Sequence, residues 1–361
     1  MHLINLPDQV TPFPRVIDFW EKKVIADLRV RTAGNLLEDI SISSRQSLLG
    51  DWLLERSLAL LYAPTGLGKS WLSLTIGVTV AAGGTLHTWV APEPRKVLYV
   101  DGEMDVSDLR ERLRLITQTV PGNRDAALMN LMLCARYDQA EGTEFPNLAD
   151  NRGKEHFLRL AEDPKLKPDL IILDNVSTLA SVTEENEASA WNPFLELLQG
   201  LKQLGIAVLV VHHANKAGGY RGSSKIVVPF DTVLKLSPDP NAGSVDGASF
   251  VISFEKTRRR VDGAGSGIAA KFVDGQWTFA TVRNAELSAK RKAELSEIVD
   301  KVRKGYYQSQ SQIATDLGVQ RSTVSKLKSR AIQAGLITEE EWKAGLQLGR
   351  EQEPTECDYD F

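Results

Sequence analysis

The sequence predicts an α/β protein with a mixed, mainly parallel sheet, followed by a small helical domain. Short apolar runs alternate with amphipathic segments over residues 41–284, and a glycine-rich loop joins the first run to a helix. After about Glu286 the chain becomes helical and basic. Because the last apolar runs lie close together, we expect them to pair antiparallel. The predicted strands are Leu58–Tyr62, Val97–Val100, Met129–Cys134, Leu170–Leu173, Ala207–Val211, Thr232–Leu236, Phe250–Phe254, Ala269–Val273 and Trp277–Ala280, and the predicted helices are 69–82, 107–118, 153–162 and 188–204.

The composition is typical of a globular protein from a reducing compartment. Its 361 residues suffice for one large domain and one small one. Two cysteines, Cys134 and Cys357, cannot build a disulfide framework. No apolar run approaches the roughly 20 residues of a membrane span, and the N-terminus lacks a signal pattern, so we expect a cytoplasmic protein with no membrane contact. We divide the chain into an N-terminal arm with a helix near Ile17–Leu28 (1–40), an α/β core (41–284), a winged helix-turn-helix domain (285–343) and an acidic flexible tail (344–361).

The loop between the first strand and the first helix has the spacing of a phosphate-binding P-loop. Its glycines let backbone N–H groups face phosphate oxygens, and the helix N-terminus adds partial positive charge. Lys69 would reach the β- and γ-phosphates and the Ser70 hydroxyl would ligate Mg²⁺, so ATP and Mg²⁺ are the predicted ligands. Ala63 stands where the motif begins with glycine, which is tolerable if its φ is negative. The predicted nucleotide-binding residues are Ala63, Pro64, Thr65, Gly66, Leu67, Gly68, Lys69 and Ser70.

Two predicted strands deliver carboxylates to the sheet edge that carries this loop. Asp174 ends the run Leu170–Leu173 and would hold the hydration shell of Mg²⁺. Glu103 follows the run Val97–Val100 and can orient and polarise an attacking water, with Asp101 as the competing candidate.

The strand Ala207–Val211 leads into His212 and His213. A polar residue at this strand end can sense the γ-phosphate, and the alternative is one satisfied core histidine and one exposed histidine. A basic loop with one aromatic residue follows. Such composition suits a single-stranded DNA backbone, with the tyrosine stacking on a base, although a solvated loop has the same composition. The candidate DNA contacts here are Lys216, Tyr220, Arg221 and Lys225.

The strand Phe250–Phe254 leads into Lys256 and Arg258. An arginine after a strand can serve as a finger that stabilises charge on the transferring phosphoryl group, often on a neighbouring subunit. The alternative is a solvated edge of the sheet. Because Arg259 and Arg260 follow, the finger could lie one or two residues later.

These segments resemble the RecA-like ATPase core of hexameric replicative helicases. The P-loop is followed in order by VLYVDGEM, LIILDNVS, VLVVHHANK, RGSS and KTR, and the resemblance is closest to the RepA-like plasmid and phage ATPases, over roughly residues 45–284. It implies that a ring of subunits surrounds DNA and that each site is completed by a neighbour. By this resemblance Lys69 and Ser70 would bind the phosphates and Mg²⁺, Glu103 would be the catalytic glutamate, and Asp174 would be the Walker B acid. His213 would sense the γ-phosphate, with His212 as the second candidate. The loop Arg221 to Ser224 would contact DNA at the ring centre, and Lys256 and Arg258 would reach the nucleotide of the adjacent subunit.

The C-terminal region is basic and looks like a helix-turn-helix. Residues 301–333 contain seven lysines and arginines and one acid, Asp316. Ala314 is small where two helices would cross, Gly318 permits the turn, and Gly335-Leu336-Ile337 is predicted to open a wing. We expect duplex DNA contact, the alternative being a helical protein–protein module. The predicted core residues are Ile313, Leu317, Val319, Val324 and Leu327, and the predicted DNA-facing residues are Arg321, Ser322, Thr323, Ser325 and Lys326.

Together these features predict an ATP-hydrolysing motor, a homo-oligomeric ring and most simply a hexamer, with single-stranded DNA in its central channel. It would act as a helicase or translocase in replication of a plasmid, phage or other mobile element. The alternative is an ATP-switched DNA-binding regulator without helicase activity. A strand-exchange recombinase fits the core but leaves the C-terminal domain unexplained. For the acidic tail we favour a solubilising segment over one that docks on a replication partner.

Overall fold

A computed structural model describes residues 28–181, 189–215, 227–239, 247–282, 295–333 and 335–351. The chain divides into two compact units, Met1–Ser44 and Arg45–Phe361. In the first unit, helix α1 (Ala33–Leu37) is preceded by Thr32, whose side-chain oxygen accepts a hydrogen bond from the Asn35 N–H and so caps the first turn. The helix predicted near Ile17–Leu28 lies outside the described residues, apart from its last residue.

The second unit alternates strands and helices and ends in a group of helices. In chain order it contains β1 (Ser47–Leu49), β2 (Leu53–Leu54), β3 (Leu58–Ala63), α2 (Lys69–Ala82), β4 (Thr85–Leu86), β5 (Trp89–Val90), β6 (Val97–Asp101), α3 (Val106–Thr119), α4 (Arg124–Asn130), β7 (Leu131–Ala135), α5 (Asn151–Glu162), β8 (Leu170–Asp174), α6 (Val176–Leu179), α7 (Asn192–Gln203), β9 (Ala207–His213), β10 (Thr232–Pro238), β11 (Ala248–Thr257), β12 (Gly267–Val273), β13 (Gln276–Val282), α8 (295–303), α9 (Gln310–Asp316), α10 (Arg321–Gln333) and α11 (Glu339–Glu351).

Nine of these strands form one mixed sheet in the order β13-β12-β11-β10-β3-β9-β8-β6-β7. Strands β10, β3, β9, β8, β6 and β7 run parallel, and β11, β12 and β13 continue the sheet antiparallel. The central strands β3, β6 and β8 are buried along their whole length, as expected for parallel strands that are covered on both faces. The predicted fold class, a RecA-like P-loop core with a mixed and mainly parallel sheet, is confirmed.

Separate hydrophobic clusters cover the two faces of this sheet. On one face, Leu72 and Ile76 of α2 belong to the same buried cluster as Leu61. On the other, Phe157 of α5 and Leu197 of α7 belong to the second cluster. Full burial of each such side chain contributes about 1.5–3 kcal/mol to folding. Within the described ranges, each helix is too short or too polar to cross a bilayer.

The structure moves several predicted boundaries. Residues 129–130, predicted as the start of a strand, instead end helix α4, and β7 begins at Leu131. The helix predicted from residue 188 starts as a 3₁₀ turn over Ser189–Trp191 before α7. The strands β1, β2, β4 and β5 were not predicted, because two or three residues are too few to show a periodic pattern.

The C-terminal helices have their own small core. Helices α9 and α10 are joined by a short turn in which Gly318 takes a φ of 62°, a left-handed conformation that favours glycine. The predicted wing is wrong: residues 335–337 form a turn that leads into helix α11 instead of a strand. This helix also continues past residue 343, the predicted domain end. Predicted core residue Val319 is 36% exposed. The buried core residues are Val299, Val302, Tyr307, Ile313, Ala314, Val324, Ala331, Ile337 and Trp342.

Candidate functional site

The carboxyl ends of four neighbouring parallel strands enclose a cavity of about 240 Å³. Strands β3, β9, β8 and β6 all end at this edge, which is where ligands bind in parallel α/β sheets. The cavity brings together side chains that are far apart in the sequence. Its lining residues are Thr65, Gly66, Gly68, Lys69, Ser70, Trp71, Asp101, Glu103, Met104, Arg112, Asp174, Asn175, His213 and Gly247.

The P-loop has the backbone geometry that phosphate binding requires. Gly66 and Gly68 have φ angles of 78° and 98°, and α2 begins directly after Gly68, so its first N–H groups face the cavity. The Lys69 ammonium donates hydrogen bonds to the Ala63 and Pro64 carbonyl oxygens at 3.3 and 3.0 Å. Burial lowers the pKa of Lys69, while the charges of Asp174 and Glu103 oppose that shift.

Asp174 lies at the end of β8, is 2% exposed, and shares the cavity with Ser70. These two residues offer a carboxylate and a hydroxyl, the oxygen donors that Mg²⁺ prefers while it keeps several waters and phosphate oxygens. Both residues therefore fit the ion that the P-loop implies, and together they would hold it beside the phosphates.

The two acids at the end of β6, Asp101 in the strand and Glu103 just after it, have different surroundings. One oxygen of Asp101 accepts the backbone N–H groups of Glu103 and Met104 at 3.0 and 2.7 Å, and burial raises the Asp101 pKa to about 6. Glu103 is exposed to the cavity, and its carboxylate accepts a hydrogen bond from the Asn175 side-chain amide. Because Asp101 is occupied in holding the turn, Glu103 is the better placed of the two to act on a water.

The two histidines that end β9 have different surroundings. His213 lines the cavity, with its Nδ1 3.3 Å from the Thr65 hydroxyl. His212 is 2% exposed and lies edge-on to the ring of Trp191. Of the two, His213 has access to a nucleotide phosphate.

Lys256 and Arg258 lie at the opposite edge of the sheet from the P-loop. Strand β11 runs antiparallel to β10, which is parallel to β3, so the end of β11 is level with the start of β3, with β10 between them. The Arg258 N–H donates to the Asp231 carbonyl, and the Asp231 N–H donates to that of Leu58, the first residue of β3. The side chains of Arg258 and Lys256 both donate hydrogen bonds to the Val228 carbonyl oxygen, at 2.6 Å and 3.0 Å respectively.

The predicted DNA contacts are only partly described. Lys216, Tyr220, Arg221 and Lys225 lie outside the described residues. On α10, Arg321, Ser322, Ser325 and Lys326 are exposed, whereas Thr323 is half-buried. The basic excess of residues 301–333 is smaller than the sequence count suggests, because acids of α11 pair with two of its cations, Arg303 and Lys328, and one of these acids also pairs with Lys343 of α11. These ion pairs are Lys328–Glu339, Lys343–Glu339 and Arg303–Glu341.

Several residues in and around the cavity were not predicted from the sequence. Asn175 follows Asp174 directly and could have been found by extending the strand by one residue. Tyr99 and Ser73 lie inside apolar runs, where a single polar letter carries no positional signal. Trp71 and Arg112 line the cavity and stack on one another, with the guanidinium carbon 4.7 Å from the ring centroid; nothing in their spacing indicated this.

The strand order, the P-loop and the converging acids define a RecA-like P-loop ATPase. A family model described as "AAA domain" matches residues 27–219, more than half of the chain, and the chain belongs to that family.

Curated relatives match a segment of similar length. DNA repair protein RadA of Streptococcus pneumoniae (strain ATCC BAA-255 / R6) is 27% identical over 196 residues, which cover 52% of this chain and 37% of that protein. DNA repair protein RadA of Chlamydia trachomatis serovar D is 27% identical over 204 residues, covering 54% and 36%. The chain thus spans little more than a third of the length of these relatives.

Two solved structures resemble the chain over 63% of its length and 91% of theirs. The KaiC-like protein PH0186 from Pyrococcus horikoshii OT3 superposes with a TM-score of 0.45 at 13% identity. The RadB recombinase superposes with a TM-score of 0.44 at 20% identity.

Proposed function

We propose that this chain is an ATP-driven motor that assembles as a ring on DNA, as a helicase or translocase in the replication of a plasmid, phage or other mobile element. The observation that carries the proposal is the position of Lys256 and Arg258, at the sheet edge opposite their own P-loop. A cation there can reach a nucleotide only on a neighbouring copy. A closed ring supplies every site with such a neighbour, and six subunits is the ring size we propose.

Hydrolysis in this site needs a base, an electrophile and charge stabilisation. Glu103 would take a proton from a water while Asn175 holds its carboxylate in place. The water oxygen attacks the γ-phosphorus, and the bond from phosphorus to the β–γ bridging oxygen breaks to give ADP and phosphate. Lys69 and the α2 N–H groups would hold the phosphate charge, and His213, which lines the same cavity, would sense whether the γ-phosphate is present. Mg²⁺, when bound, neutralises further phosphate charge.

DNA is the proposed track for two reasons. The basic segment that contains Lys216, Tyr220, Arg221 and Lys225 closely follows His213 in the sequence. A conformational change at His213 would therefore have a short path along the chain to the proposed DNA contacts. Helix α10 adds exposed cations for duplex contact. A second candidate, an ATPase of DNA repair, is favoured by the names of the curated relatives.

A strand-displacement assay on forked DNA, run beside a mass measurement of the assembly with ATP and Mg²⁺, tests the proposal. We expect a ring-sized oligomer and ATP-dependent displacement, both lost in Lys69→Ala. A protein that hydrolyses ATP fully as a monomer would contradict the ring. Binding of one duplex sequence without displacement, insensitive to charge reversal at Lys216 and Arg221, would instead favour an ATP-switched regulator.

A further inference from the structure

Two buried hydroxyl groups converge on one oxygen of Asp174. Tyr99 of β6 donates to Asp174 Oδ2 at 2.6 Å, and Ser73 of α2 lies 2.9 Å from the same oxygen. The two hydroxyl oxygens are 3.1 Å apart. All three residues are at most 2% exposed, and they come from three different elements on one face of the sheet. Two hydrogen bonds from different elements, β6 and α2, fix both the position and the rotation of the Asp174 carboxylate on β8.

The single proton of the Ser73 hydroxyl is better placed on Asp174 than on the other acceptor within its reach. Each hydroxyl has a single proton, and Ser73 can also donate to the Ser70 carbonyl at 3.2 Å. The bond to Asp174 is shorter and goes to a charged acceptor, which makes it the stronger one.

We propose that Tyr99 and Ser73 are positioning residues that occupy Oδ2 of Asp174 and so present its other oxygen, Oδ1, to the hydration shell of Mg²⁺. The inference rests on the proposed ATPase function. A carboxylate has about four lone-pair sites, and the two hydroxyls use those of Oδ2. A buried carboxylate without these two donors would be free to rotate, and Oδ1 would no longer be held at the point where the ion is bound. Partners of this kind typically change metal affinity by about 10–100-fold.

A purely structural role makes a different prediction. In that case the hydroxyls only satisfy each other inside the core, and their removal lowers stability without changing metal dependence. The chain offers matched controls for this. Tyr307 donates to Asp316 at 2.5 Å in the C-terminal helices, the same pair of groups away from the site. Thr79 of α2 is buried and donates to the backbone carbonyl of Thr75 at 2.7 Å, so its removal costs a hydroxyl on the same helix.

The experiment measures binding of a fluorescent ATP analogue to the full chain during a Mg²⁺ titration, and again in EDTA. For Tyr99→Phe and Ser73→Ala we expect the half-saturating Mg²⁺ concentration to rise about tenfold each, with affinity in EDTA unchanged within about twofold. The double variant should show less than the product of the two effects, because both hydroxyls act on one oxygen. Tyr307→Phe and Thr79→Val should keep the wild-type Mg²⁺ dependence.

Each outcome decides something. If Tyr99→Phe and Ser73→Ala match the controls in a wild type that binds ATP with Mg²⁺, the positioning role is refuted and the ATPase proposal stands. If the wild type binds no nucleotide, the proposed function is refuted and this inference with it. Should Tyr99→Phe fail to fold, as judged by its thermal transition, Ser73→Ala and direct Mn²⁺ binding by electron paramagnetic resonance decide the question alone.

Discussion

Replacing Arg258 with alanine tests whether this residue acts on the nucleotide of a neighbouring subunit in the proposed ring. Arg258 is level with Leu58 through the backbone bonds of Asp231, and the P-loop begins at Ala63, five residues further along β3. At about 3.3 Å per residue, Arg258 is about 17 Å short of its own P-loop along the strand, before the sideways offset of two strands is added. An extended arginine side chain does not span that distance. We therefore expect Arg258→Ala to bind ATP normally and to lose hydrolysis by about 10³–10⁵-fold.

Mixing two inactive variants makes the test specific for action between subunits. Lys69→Ala lacks a working P-loop and retains Arg258, whereas Arg258→Ala lacks the finger and retains Lys69. In randomly mixed rings, about one interface in four joins an intact P-loop to an intact finger. Turnover of an equimolar mixture should therefore rise from near zero towards about a quarter of the wild-type rate, if the interfaces act independently. Steady-state phosphate release with DNA present is the measurement.

Two results would refute this reasoning. Full turnover in Arg258→Ala alone excludes the residue as a finger. Inactive variants that form mixed oligomers without regaining turnover exclude action between subunits. Arg260→Ala is the matched control, since Arg260 is exposed and its guanidinium lies 3.7 Å from Asp262. If Arg260→Ala loses turnover and Arg258→Ala does not, the finger lies two residues later.

Three further outcomes follow from the same geometry. Glu103→Gln should keep ATP binding, slow hydrolysis by at least about 10²-fold and accumulate ATP-bound oligomers, which light scattering with retained nucleotide would detect. Although burial raises the pKa of Asp231, hydrogen bonds from the Leu58 N–H and Lys202 hold it below its usual value. Asp231→Asn should thus cost about 1–2 kcal/mol of unfolding free energy at pH 7, and the difference from wild type should fade below about pH 4, where the carboxylate takes up its proton; urea unfolding at both pH values measures it. Arg321→Glu with Lys326→Glu should weaken duplex binding in 150 mM salt and leave ATP affinity unchanged, with Lys343→Glu on α11 as the control.

The sequence predicts the core well because its signals there are long and consistent. The helix predicted over 69–82 has the bounds of α2, and the buried runs at Leu58, Val97, Leu170 and Ala207 become neighbouring strands. Prediction failed where one short pattern fits two structures. Gly335-Leu336-Ile337 reads as a turn and a strand, but Ile337 packs into a core made by helices, and the acids after it begin α11. The contacts of Tyr99, Ser73 and Asp174 depend on which strands are neighbours in the sheet, and no local stretch of sequence determines that order.

Ala63 explains why an incomplete P-loop motif can still form this site. It is the last residue of β3, fully buried and paired in register with His213, and it is not among the residues with positive φ. Its backbone is extended, so a methyl group is compatible with it. Within the P-loop, positive φ is confined to Gly66 and Gly68. At Gly68 an added Cβ would lie 2.5 Å from the Ala248 Cβ, closer than two carbon atoms can approach. The loop therefore requires positive φ only at Gly66 and Gly68, the two glycines that the chain retains. Ala63, which replaces the first glycine of the motif, needs only an extended backbone, which alanine adopts readily.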